Sequence, residues 1–146
     1  MWKRIGAIAV LGVVLLVGGG CEPDGVKVTV RQEGGKLIFD IPDDERRGRE
    51  VYLGDFVVGR RAEGTFWEIA GNPGAGRGTG GEWPLEYGKN VSYGRVVNVQ
   101  KRLVPGEYYI RGYIFLIEHI GGREVSDARW LFGEFRLNEK LILVDD

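Results

Sequence analysis

From residue 26 onward, apolar and polar residues alternate in short runs separated by glycine, proline and charged clusters. Val26, Val28 and Val30 share one face of an extended segment, while Lys27, Thr29 and Arg31 share the other. Gly34-Gly35 offers a tight hairpin turn, since both residues tolerate positive φ. The chain returns over 36–41 with Leu37, Phe39 and Ile41 on one face. Pro42 closes that strand, and Asp43-Asp44-Glu45-Arg46-Arg47-Gly48 reads as a solvated connection with local ion pairs. Further strands are expected over 51–58, 65–70, 91–100, 108–117 and 125–137, with a short edge strand at 141–144. The stretch 83–88 is poorly patterned. Residues 108–117 are apolar at nearly every position, which predicts a central strand covered on both faces. Gly112 and the β-branched and aromatic content there argue against a helix. A bulge is expected near Gly133. Trp67 and Trp130 fall inside strands and are expected in the core.

Seven or eight strands with evenly spaced turns, and no amphipathic helix, predict an all-β protein. The architecture expected is an antiparallel β-sandwich, because a parallel α/β sheet would need crossover helices. The 146 residues, 43% hydrophobic, suffice for one compact domain. Lys and Arg total 20 against 21 Asp and Glu, so no basic excess exists to neutralise phosphates, and a nucleic-acid partner is not expected. The single Cys excludes an internal disulfide framework. The single His, His119, makes a His-rich metal site or a His-dependent triad unexpected. No metal or cofactor is implied.

The first twenty residues form a separate unit. Met1-Trp2-Lys3-Arg4 is a short basic start, and Ile5 to Gly20 is a run of sixteen uncharged residues ending in Gly18-Gly19-Gly20-Cys21. A transmembrane helix needs about 20 apolar residues, and three terminal glycines weaken a helix. A basic n-region, an apolar h-region and small residues before a cleavage point describe a secretory signal. Gly19-Gly20-Cys21 resembles the end of a bacterial lipoprotein signal, with Gly18 standing where that family prefers Leu. The resemblance implies a diacylglyceryl group on the Cys21 thiol, cleavage before Cys21 and a membrane anchor of paired acyl chains. In that family an Asp after the Cys favours the inner membrane; here Glu22 follows, which makes the outer membrane, facing the periplasm, the default. The organisation expected is a signal peptide over 1–20, a lipidated Cys and tether over 21–25, and a sandwich domain over 26–146. Without Lys3 and Arg4 the chain carries 18 basic and 21 acidic residues, a mildly acidic balance.

A second resemblance supports the architecture. Leu103-Val104-Pro105-Gly106-Glu107-Tyr108 resembles the turn-plus-Tyr entry to a late strand in immunoglobulin-like and transthyretin-like sandwiches. In those folds the Tyr hydroxyl bonds back to upstream backbone. The chain is similar in size, anchor and architecture to small transthyretin-like lipoproteins of type VI secretion machines, although no motif identifies it as one.

Candidate chemistry is sparse. Gly76, Gly78 and Gly81 match G-x-G-x-x-G within the glycine-rich stretch 71–81, but Pro84 interrupts the helix that a dinucleotide site needs next. A surface loop is the expectation there. His119 beside Glu118 lacks a nucleophile partner, since Ser92 and Ser126 lie in no elbow motif. Asp43-Asp44-Glu45 lacks the spacing of a calcium loop. Asn90-Val91-Ser92 matches a glycosylation sequon that a bacterial address leaves without use. Trp83 flanks the glycine-rich stretch and has the best prospect of exposure, so Trp83, Tyr87 and Arg77 form the candidate ligand or partner patch. The function expected is a non-catalytic, lipid-anchored interaction or assembly module with an envelope protein partner. The alternative is a lipoprotein that binds a glycan, a peptidoglycan fragment or another small ligand.

Overall fold

The computed structural model describes residues 25–71, 83–89, 91, 94–98 and 100–145, without the side chains of 94–96. The signal segment, Cys21, Arg77, Ser92, Asn90 and positions 72–81 of the glycine-rich stretch lie outside the described residues. The protein is all-β, as its patterning predicts, and ten strands are described. In chain order they are β1 (Gly25–Lys27), β2 (Thr29–Glu33), β3 (Lys36–Asp40), β4 (Glu50–Arg60), β5 (Gly64–Gly71), β6 (Leu85–Glu86), β7 (Gly94–Asn98), β8 (Gly106–Ile120), β9 (Arg123–Leu137) and β10 (Leu143–Val144). One turn of helix, α1 (Asp43–Arg46), sits in the charged connection. Arg46 pairs there with Asp43 at 2.9 Å and with Asp40 at 3.4 Å, the local ion pairing expected of such a segment.

The strands form two sheets. The large sheet runs β1-β9-β8-β4-β5-β7, with β10 also on β9, and the small sheet runs β2-β3-β6. Phe39 of β3 joins them. Its ring lies 5.2 Å from Phe56 on β4, 6.3 Å from Trp67 on β5 and 5.8 Å from Phe135 on β9. These rings, with Ile41, Ile69, Ile114 and Leu116, are essentially removed from water and make the core between the sheets.

Four expectations are corrected. First, the alternating segment beginning at Val26 is two strands rather than one. β1 pairs with β9, β2 pairs with β3, and the chain changes sheets at Val28, whose N–H donates to the Phe132 carbonyl at 2.8 Å. Second, β1 runs parallel to β9, so the large sheet is mixed rather than wholly antiparallel. Third, β9 stays in unbroken register with β8 past Gly133. The irregularities lie elsewhere: between Leu53 and Asp55 where β4 meets β8, at Val58/Gly59 where β4 meets β5, and at Glu68/Ile69 where β5 meets β7. At the first, Gly54 sits beneath the Tyr113 ring, where a Cβ would collide with it. Fourth, β8 is covered on one face by the small sheet, but its other face is only half-buried or exposed. An apolar run can thus come from aromatic residues on an open face, not only from a strand buried on both.

The turn-plus-Tyr entry is present in full. The Tyr108 hydroxyl donates to the Val104 carbonyl at 2.6 Å and accepts from the Val104 N–H at 2.9 Å. Its ring stacks on Phe135 at 4.9 Å and meets Phe66 edge-on at 5.3 Å. Gly34 and Gly35 both take positive φ, 57° and 79°, as a two-residue hairpin turn requires. At the far end of the chain, the Gln32 side chain clasps β10. Its amide N–H donates to the Leu141 carbonyl and its oxygen accepts from the Leu143 N–H, each at 2.9 Å.

Trp67, at 1% exposure, is the largest fully buried side chain. Trp67→Ala is expected to cost about 3–5 kcal/mol in chemical denaturation. Tyr108→Phe keeps the stacked ring and removes both corner hydrogen bonds, and is expected to cost about 1–3 kcal/mol.

Candidate functional site: the outer face of the large sheet

Strand alternation sorts β9 into two sets. Leu131, Gly133, Phe135 and Leu137 face the small sheet and are buried. Trp130, Phe132, Glu134 and Arg136 face outward. Trp130 is 57% exposed and Phe132 50%, so Trp130 is not a core residue. Its outward neighbours Glu134 and Arg136 carried that signal in the sequence, because residues an even number of positions apart on a strand share a face. On β8 the outward set is Tyr109, Arg111, Tyr113, Phe115 and Ile117, marked as outward by Arg111.

Register brings these residues into one aromatic face. Trp130 is opposite Tyr113, Phe132 opposite Arg111 and Ala128 opposite Phe115. Tyr52 of β4 continues the row opposite Phe115. The Tyr113 ring lies 5.9 Å from Trp130 and 5.5 Å from Phe115, both edge-on. The Arg111 guanidinium lies over the Tyr109 ring, 5.8 Å from its centroid. On the other side of β9, Gly25 is in register with Trp130 and Lys27 with Phe132.

Acidic groups gather across this face, on β4 and β5. Beyond the bulge Asp55 pairs with Tyr113, and Glu68 is opposite Val57. One Asp55 carboxylate oxygen is buried with no hydrogen-bond partner. Burial raises the Asp55 pKa above its ordinary 3.8, and the Glu68 carboxylate raises it further; the Phe56 N–H and the Arg111 charge oppose the shift.

The residues singled out from the sequence lie elsewhere. Trp83 packs inward at 7% exposure, edge-on to Phe56 at 5.9 Å, which corrects the expectation that it is exposed. Its position beside a glycine-rich stretch says little about its direction; Leu85, two residues on and also buried, shows that this segment faces the core. Tyr87 is half-buried against Trp67 and donates to the Lys101 carbonyl at 2.8 Å; burial raises its phenol well above the usual range. Among the described residues, neither ring lines the cleft at the Arg60 end of the sheet. His119 is exposed at the end of β8, opposite Glu124, and Ser126 is exposed opposite Ile117. A cleft of about 430 Å³ opens at the other end of the sheet, lined by Arg60, Arg61, Glu107, Tyr109, Glu134 and Arg136 among others. Arg60 there is committed to Glu63 at 3.0 Å and to the Tyr108 ring at 5.5 Å.

Two outcomes test this geometry. Trp130→Ala is expected to change stability by less than about 1 kcal/mol, the scale of one exposed cross-strand pair. Asp55→Asn is expected to raise the urea midpoint at about pH 7. A carboxyl whose folded pKa is raised favours the folded state while protonated, and that contribution is lost as pH rises through the raised value. The advantage of the variant is therefore expected to vanish near or below the ordinary carboxyl pKa of 3.8.

Compared with protein-family models, curated proteins and solved structures, the chain matches none.

Proposed function

We propose that this protein is a lipid-anchored, non-catalytic interaction module of the bacterial envelope. The anchor rests on the sequence: the chain's single Cys follows directly on an apolar leader and small residues. The interaction role is carried by one observation, the open aromatic face of Trp130, Phe132, Tyr113 and Phe115. A folded domain gains stability by burying such rings, and an exposed group of them is characteristic of a surface that meets another body. The alternative, a glycan or peptidoglycan-fragment binder, drew on Trp83 and Tyr87 with Arg77. With Trp83 buried and Tyr87 half-buried against Trp67, no observation favours that patch. Glu22, in place of Asp, is the reason to place the protein at the outer membrane.

Expression of the full chain in a Gram-negative host tests the anchor. The wild type is expected in the membrane fraction, with the mass of a diacylglyceryl group on Cys21. Cys21→Ser is expected in the soluble fraction. Membrane association that is unchanged in Cys21→Ser would defeat the anchor.

A further inference from the structure

Resting on the anchor reading, we infer that the aromatic face formed by Trp130, Phe132, Tyr113 and Phe115 docks on the bilayer surface beside the anchor. The covering body is lipid: the headgroup layer and the upper acyl chains.

The argument begins with distance. Cys21 precedes Gly25 by four residues, which span at most about 14 Å in any conformation. Gly25 is not at an arbitrary place on the domain. It is in register with Trp130, on the edge strand next to β9. Acyl chains carried by Cys21 therefore enter the membrane within one short tether of the exposed indole. Neighbouring strands are about 4.8 Å apart, so β9 and β8, which bear the four rings, lie within the next two strand widths of β1.

The chemistry of the face fits that neighbour. Trp and Tyr favour the membrane–water boundary, where the ring sits among headgroups and the polar edge stays wet. Lys27 and Arg111 flank Phe132 on either side, one on β1 and one on β8. Both are exposed. Each has a long apolar stem and a cationic end suited to lipid phosphate. Glu22 and Asp24 stand in the tether itself, and the carboxylates of the outer sheet face lie farther off. Asp55 and Glu68 lie on β4 and β5, the strands farther from β1, and Glu134 is one outward position beyond Phe132. Across the sheet the face thus runs from aromatic and cationic beside β1 to acidic on β4 and β5. A domain held by this edge meets a membrane with its apolar half and turns its acidic half to water.

The test uses the full acylated chain reconstituted in vesicles of phosphatidylethanolamine and phosphatidylglycerol at about three to one, with acyl chains brominated or not. Trp67 and Trp83 are buried, so the difference between wild type and Trp130→Phe isolates the Trp130 emission. Brominated chains are expected to quench that emission, its maximum is expected to shift to the blue, and aqueous iodide is expected to have little effect. Phe132→Asp, which puts a charge into the face while leaving Cys21 intact, is expected to float with the vesicles yet lose both the quenching and the blue shift. Flotation with Trp130 open to iodide and untouched by bromine would overturn the inference. Shielding from both quenchers would overturn it too, since the face would then be covered by a second copy of the chain. The anchor is read separately, by flotation and the mass of Cys21. If Cys21 carries no acyl group, the anchor reading fails alone where bromine still quenches Trp130, and both fail where it does not.

Discussion

The Val28 N–H bound to the Phe132 carbonyl is the contact on which the arrangement of this protein turns. It marks where the chain leaves the edge of the large sheet and enters the small one. Because β1 is laid parallel on β9 before that crossing, the start of the domain is held next to Trp130 and Phe132. Because β2 and β3 lie beyond the crossing, Phe39 is carried over the opposite face, where it meets Phe56, Trp67 and Phe135. One crossover thus settles which face of the large sheet becomes core and which stays open beside the N-terminal edge.

The two faces use aromatic residues for opposite ends. Inside, the rings interlock: Tyr108 lies flat on Phe135, Phe66 stands edge-on to Tyr108, and the Tyr108 hydroxyl closes on Val104. Outside, the Tyr113 ring meets Phe115 and Trp130 edge-on. Gly54 admits the Tyr113 ring at the β4 irregularity, so the outer face is shaped around its rings rather than merely littered with them. Asp55, whose buried oxygen has no hydrogen-bond partner, follows directly on that irregularity.

Most of the fold was legible in the alternation of residues. The hairpin at Gly34-Gly35, the strands around Phe39, Phe56 and Trp67, and the Tyr108 corner follow from period-two patterning and turn chemistry. The crossing at Val28 was not legible, since Val26, Val28 and Val30 keep one period through it and a change of sheet leaves no mark in a single strand's pattern. The candidate face was half legible. Trp130 shares parity with Glu134 and Arg136, which marks it as outward, yet the size of the ring argued for the core. Size outweighed parity there, and parity was the better guide. Trp83 went the other way, because nearness to a glycine-rich stretch does not set the direction of a side chain, whereas Leu85 on the same short segment does.

The clasp of Gln32 on Leu141 and Leu143 carries a kinetic consequence. A side-chain amide acts there as a substitute strand, joining residues 109 and 111 positions apart. Both bonds close a loop of chain that contains every strand from β3 to β9. Contacts of such long separation form slowly, because the intervening chain must be ordered before they repay its entropy. The β10 segment is accordingly expected to dock late in folding. Its opening would strip cover from the Leu137 end of β9 while leaving the Phe39 core and the Trp130 end of the sheet in place.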